Sequence, residues 1–545
     1  MRKMVNRFIG VCMVAVMLTV SLTGCGKKEN DSKVSDYNIA NYEKPSNERK
    51  KDSAVNSDVP QNIVGDFQDM ESVDTQYEGL NFNTEEYNAI TDNNFKSVKN
   101  YPVSTFSIDV DTASYSNIRR MIKDGWGVTP DAVRIEEMIN YFKYDYEKPV
   151  GDIPFSVNTE LSDCPWNKNA KLMLVGLQAK DIDLSSTRSN LVFLLDVSGS
   201  MDSPDKLQLM QKAFIMLTEN LSQNDRISIV TYAGSDSVVL KGARGNETLD
   251  IIRAIENLYA GGSTAGAAGI EKAYELAEDY FIKGGNNRVI LATDGDLNVG
   301  ISSEGELKRL VEKKRESGVY LSVLGFGAGN IKDNKMEALA DNGNGNYSYI
   351  DSILEAKKVL VEEMGGTLFT VAKDVKLQVE FNPAYIKGYR LIGYENRMLS
   401  TEDFEDDTKD AGEIGAGHRV TALYEIIEID SEQEVPESNL KYQPENILPD
   451  SEEWLTINVR YKEPEQATSK LLVEVVDESN YTSKMPENLL FASSVAAFGM
   501  LLRNSQYKGT ATYQMILDNL ENKDFSNDEY KNEFISLVKK VNSGY

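Results

Sequence analysis

Between Asn190 and Met364 the chain alternates continuously apolar runs with amphipathic stretches of helical spacing, and that alternation restricts it to one class of fold. Leu191-Val192-Phe193-Leu194-Leu195 offers no polar residue to either face, as a strand covered on both sides requires. Lys206 to Leu221 follows with helical spacing. Arg226 to Tyr232 reads as a strand, Thr248 to Leu258 and Ala267 to Phe281 as helices, and Arg288 to Thr293 as a second fully buried strand. Glu304 to Ser317 predicts a helix, Val319 to Phe326 a strand, Lys335 to Asp341 a short helix, Tyr347 to Ile350 an edge strand and Leu354 to Met364 a closing helix. Strands alternating with helices predict a doubly wound, mainly parallel α/β sheet over residues 188–368.

The flanks differ in texture, and 545 residues leave room for them as separate bodies. Residues 95–187 read as a mixed region: Thr105 to Val110, Phe155 to Leu161 and Lys171 to Gln178 alternate like strands, and Ala132 to Phe142 has helical spacing. In residues 369–480, Val375 to Phe381, Tyr389 to Tyr394, Val420 to Ile429 and Leu455 to Tyr461 have a period near two, which predicts an antiparallel sandwich. Residues 481–545, with Leu489, Val495, Leu502, Phe534 and Val538 at helical spacing, predict a helical cap. Short connections at residues 188 and 368 would let strands from both flanks form one sandwich with the α/β domain inserted into it.

The N-terminus carries an address. Arg2, Lys3 and Arg7 precede an apolar run from Phe8 to Leu22, and Leu22-Thr23-Gly24-Cys25 resembles the bacterial lipobox, in which the cysteine is acylated and becomes the new N-terminus. Residues 1–24 are therefore expected to be a signal peptide, Cys25 the lipidated residue and residues 25–80, rich in Lys, Asn, Ser, Asp and Glu, a tether. This places the chain on the extracytoplasmic side of a membrane, held by its lipid. Cys12 leaves with the signal, so Cys164 has no intramolecular partner and reads as a small buried residue. A formal charge of -28 repels phosphate backbones and excludes nucleic acid as a partner. The single histidine, His418, argues against His-rich zinc sites and His-dependent triads.

Asp196-Val197-Ser198-Gly199-Ser200 follows the first buried strand, Thr293-Asp294-Gly295-Asp296 follows the later one, and Gly261-Gly262-Ser263-Thr264 lies between them in sequence. Ligands of open parallel sheets bind outside the carboxyl ends of the strands. If the strands are neighbours, Asp196, Ser198, Ser200, Thr264 and Asp294 converge as an oxygen-only set. Such a set suits a hard divalent cation, Mg²⁺ first and Mn²⁺ or Ca²⁺ next. The pattern resembles the metal-ion-dependent adhesion site of von Willebrand factor type A (VWA) domains, Asp-x-Ser-x-Ser, then Thr, then Asp. The resemblance implies that the Ser198, Ser200 and Thr264 hydroxyls bind the metal directly, that Asp196 and Asp294 act directly or through water, and that a partner protein donates a carboxylate to the open position.

Further runs extend the resemblance. Thr105 to Tyr115, Glu136 to Phe142, Gly261 to Gly266, Tyr394-Glu395-Asn396-Arg397 and Ala411 to His418 look like the YfbK-type bacterial VWA lipoproteins over nearly all of residues 95–540. The expected function is therefore partner capture by a lipid-anchored, non-enzymatic VWA protein. One alternative is an envelope scaffold in which the metal only stabilises the fold, and another is a metal-assisted hydrolase, which lacks a general base near Thr264. Asp109-Val110-Asp111-Thr112 resembles a phosphatase nucleophile loop, but its surroundings favour a structural role. Gly325 to Gly329 lacks the spacing of a dinucleotide fingerprint and reads as a turn, and His418 reads as a histidine bonded to backbone.

Overall fold

The computed structural model describes residues 85–544 except 184–186, 234, 263–265, 296–303, 439–450, 465 and 522. The signal, Cys25, the tether and Thr264 lie outside the described residues.

The sheet of the α/β domain has six strands in the spatial order Tyr347–Ile350, Tyr320–Phe326, Asn286–Thr293, Ser189–Asp196, Arg226–Ala233 and Ser235–Arg244. The first five run parallel. The unbroken apolar run is explained by the layers: Leu191, Phe193 and Leu195 join a core with Met210, Phe214 and Leu217, whereas Val192 and Leu194 join one with Ile270, Ala273 and Ala277. Helices Leu207–Glu219 and Gly266–Asp279 thus cover opposite faces, and each fully buried large side chain contributes about 1.5–3 kcal/mol.

Two local expectations need correction. The strand Ser235–Arg244 pairs antiparallel with Arg226–Ala233 and closes the edge, an element that the sequence pattern did not announce. The closing helix is broken into Ile353–Lys357, a π turn over Lys358–Glu362, and Met364–Leu368. The π turn carries Lys358, whose Nζ donates to Glu363 Oε2 at 2.8 Å and sits 4.3 Å from the Tyr141 ring centroid.

Strands from both sides of the α/β domain build the rest. One sheet orders Lys96–Ser97, Ile386–Ile392, Arg419–Glu428, Lys171–Ala179 and Phe155–Asp163. The other contains Gly412–Gly415, Thr370–Phe381, Glu453–Lys462 and Lys470–Asp477, with Val103–Ser107 pairing Thr370–Phe381. Met173, Val175, Leu177, Tyr424 and Ile426 face Leu377, Val379, Ile457 and Val459 between the sheets. The alternate residues Leu172, Leu174, Leu423 and Ile427 pack on helix Glu487–Leu502. The sandwich is therefore not confined to residues 369–480, and the α/β domain is inserted into it. In the N-terminal flank the expected helix shortens to Ile135–Asn140, because Pro130 opens a 3₁₀ turn and Val133 and Arg134 are extended.

Two arginines, one fully buried and one partly buried, lock the insert to its host. Arg119 of helix Ala113–Lys123 is fully buried and donates to Asp351 Oδ2 at 2.8 Å, Glu355 Oε2 at 2.7 Å, Tyr141 Oη at 2.7 Å and Glu533 Oε2 at 3.0 Å. Arg397 donates to Asp109 Oδ2 at 3.2 Å, Asp341 Oδ2 at 2.8 Å and Glu337 Oε1 at 3.3 Å. Arg120, one residue after Arg119, pairs with Glu85 Oε1 at 2.8 Å.

Candidate metal centre

Ser189–Asp196 and Asn286–Thr293 are adjacent parallel strands, with Leu195 opposite Ala292, so Asp196 and Asp294 emerge side by side at their carboxyl ends. Both carboxylates are fully buried. Asp196 Oδ1 accepts the Ser198 N–H at 2.9 Å, which turns the chain sharply, and its Oδ2 accepts from Thr293 Oγ1 at 3.2 Å. That turn places the Ser198 and Ser200 hydroxyls 3.0 Å apart. Burial pushes the Asp196 carboxyl up to about 6; hydrogen bonds from Ser198 oppose the rise and the Asp294 carboxylate adds to it.

The third loop is tied to the first by backbone. Gly199 N donates to Gly262 O at 3.1 Å and Gly261 N to Val197 O at 2.8 Å. Gly262 has φ +83 and its Cα lies so close to Ala233 that a Cβ would sit 3.2 Å from that carbonyl, so the position needs glycine. The structure thus brings together four of the five residues expected from the sequence, Asp196, Ser198, Ser200 and Asp294, and holds the loop that leads to Thr264 beside them.

Buried carboxylates call for positive charge, and the structure supplies a stand-in. Lys206 Nζ lies 2.9 Å from Asp294 Oδ2 and donates to Ser200 O at 2.9 Å. A cation therefore sits where the oxygen donors converge, and an all-oxygen donor set fits a hard divalent ion. Lys206 escaped the sequence reading. One signal was available: it stands at the N-cap position of helix Leu207–Glu219 without capping it, where a cation opposes the helix dipole and a Ser, Thr, Asp or Asn is expected.

Comparisons with known proteins place the domain that carries this cluster. The von Willebrand factor type A domain model matches residues 190–362, the model described as von Willebrand factor matches residues 81–174, and the model described as the C-terminal region of Uncharacterized protein YfbK matches residues 366–543. The protein named Uncharacterized protein YfbK from Escherichia coli (strain K12) is 43% identical over 470 residues, covering 84% of this chain and 80% of that one. The chain belongs to the YfbK family of VWA proteins. Uncharacterized protein sll0103 of Synechocystis sp. is 30% identical over 173 residues, 31% of this chain and 39% of that one. Among solved structures, von Willebrand factor type A from Catenulispora acidiphila aligns with 73% of this chain and 91% of its own at 15% identity and a TM-score of 0.41.

The other chemistry-bearing residues are engaged structurally. Asp109 and Asp111 are buried; Asp109 Oδ1 accepts the Asp111 N–H at 3.0 Å, and Asp111 Oδ1 accepts the Tyr347 N–H at 2.8 Å, fastening the host to the edge strand of the VWA sheet. Among the described residues the His418 Nδ1 has no hydrogen-bond partner, and the ring packs directly on Gly366. Burial lowers it to about 4, so it is neutral at pH 7. Cys164 is buried, which pushes its thiol up. One grouping had no sequence forecast: Asp374, Asp410 and Glu413 bring carboxylate oxygens within 4.8 Å of one another. Asp374 already accepts from Lys462 at 2.7 Å and Asp410 from Arg315 at 2.8 Å. Among the described residues no helix is long and apolar enough to cross a membrane.

Proposed function

We propose that the chain is a lipid-anchored, extracytoplasmic, non-enzymatic protein that captures a partner protein through a divalent ion, Mg²⁺ first, held by Asp196, Ser198, Ser200, Thr264 and Asp294. The convergence of two buried carboxylates and two touching hydroxyls at the ends of adjacent parallel strands carries this reading. A bound Mg²⁺ would offer its open position to a carboxylate of the partner. The lipobox-like Leu22-Thr23-Gly24-Cys25 and the charged and apolar stretch before it support the anchor and the location. The test is a pull-down from detergent-solubilised envelopes in Mg²⁺ or EDTA with wild type, Asp196→Ala and Ser198→Ala. A partner captured only by wild type in Mg²⁺ is expected, and a partner retained in EDTA would move the interface away from the metal.

A further inference from the structure

Lys206 is held more deliberately than a surface ion pair requires. Its side chain is 12% exposed and its partner Asp294 is fully buried. Its stem lies across Gly327, which has φ +75; a Cβ there would stand 2.3 Å from Lys206 Cγ, 2.5 Å from Cε and 2.8 Å from Cδ. The missing side chain at Gly327 is the space that the lysine occupies. The surrounding loop is pinned as well. Tyr349 Oη donates to Gly327 O at 2.8 Å, Ala328 N donates to Asp205 Oδ2 at 3.2 Å, and Gly329 N donates to Glu85 Oε1 at 3.0 Å. Glu85 in turn pairs with Arg120, whose guanidinium lies 5.5 Å from the Tyr349 ring centroid. A bed built from the VWA sheet and the host thus presents an ammonium to Asp294.

We infer that Lys206 is a tethered competitor for the metal: its ammonium neutralises Asp294 when no divalent ion is bound and must leave that carboxylate for the ion to enter. This inference rests on the metal-site reading above. The competition follows from charge, because an ammonium hydrogen-bonded to a carboxylate and a divalent ion approaching the same oxygens repel one another at a few ångströms in a poorly screened site. The net affinity is then the intrinsic affinity reduced by the free energy of the lysine's own charge-assisted bonds. Metal occupancy would also free the Lys206 stem from Gly327 and loosen residues 327–329, which touch the host through Glu85.

The test titrates Mn²⁺ and Mg²⁺ into the full chain by calorimetry, for wild type, Lys206→Met and Lys206→Gln, with thermal melts to establish folding. Methionine keeps the stem in the Gly327 groove and removes the charge; glutamine serves if the methionine variant fails to fold. The expected result is that both substitutions tighten metal binding by about tenfold or more. Hydrogen exchange at residues 327–329 is expected to accelerate on metal binding in wild type. Equal affinities, or weaker binding by the folded variants, would overturn the competition while leaving the metal site intact. No binding by wild type or either variant at millimolar Mn²⁺ would instead overturn the metal-site reading itself, and the inference with it.

Discussion

Replacing Arg119 by methionine should damage the junction between the VWA insert and its host more than any surface change. The side chain is fully buried and satisfies Asp351, Glu355 and Glu533, which come from the VWA domain and from helix Glu529–Asn542. Methionine fills most of the volume but leaves Glu355, also fully buried, without the cation that bonds it, with only the nearby Lys358 in compensation. Removing one partner of a buried pair costs about 3–5 kcal/mol. Unfolding entropy of roughly 2.1 cal/mol/K per residue over about 460 residues is near 1 kcal/mol/K, so the melting temperature should fall by about 3–5 °C at pH 7.5. The loss should shrink on acidification. Burial already raises the Glu355 carboxyl, and losing Arg119 raises it further. The folded variant then binds a proton that the unfolded chain does not, so its stability relative to wild type falls as pH rises and recovers as pH drops toward 5. Calorimetry at pH 7.5 and 5.5 decides the matter. A melting temperature within a degree of wild type, or a deficit of the same size at both pH values, refutes the reasoning.

Arg397→Met should destabilise by a similar few kcal/mol, because Asp109 and Glu337 lose their shared cation, and limited proteolysis should then release the VWA insert before the host unfolds. Gly415→Ala should unfold the chain at markedly lower temperature, since the new Cβ would lie 1.8 Å from the Gly366 carbonyl, a backbone atom that has little room to shift. For His418, held down to about 4 against an ordinary value near 6.5, the unfolded chain binds the extra proton, so stability falls as pH drops from about 6.5 to 4, by up to roughly 3 kcal/mol. His418→Gln should flatten that part of the stability profile, and an unchanged profile would count against the buried neutral imidazole. Cys164 should resist thiol reagents in the native chain and react on denaturation; rapid native labelling would contradict its burial.

Much of the VWA domain was legible because the cause was local. Leu191 to Leu195 is apolar at every position because both faces are covered, and no other strand environment demands that. Asp196 and Asp294 could be paired in advance because a parallel sheet aligns the ends of its strands. Ser235–Arg244 was hidden because it is an edge strand whose outward Val239 puts an apolar residue where alternation calls for a polar one. The break at Lys358 was hidden because its partners, Glu363 and the Tyr141 ring, include a group from the distant host. Lys206 was illegible as a site residue because Gly327, far along the chain, makes the groove that aims it.

The inserted arrangement sets an order of assembly during synthesis. Every strand of the VWA sheet lies between Ser189 and Ile350, and Val359, Leu360 and Leu368, which pack on one of its faces, follow closely, so that domain can form soon after it emerges. The strand Lys171–Ala179 must wait for Arg419–Glu428, roughly 240 residues later, before its open edge is paired. The folded insert shortens that wait in space if not in time: Thr187 and Leu368 line the same cavity, so the two ends of the interruption are already near one another. The closure entropy of a long loop is thereby largely met before the second half of the sandwich arrives. Until then Phe155–Asp163 and Lys171–Ala179 stand as a two-stranded ribbon whose apolar strand, Lys171–Ala179, has an unpaired edge and is exposed to aggregation while the chain is being made.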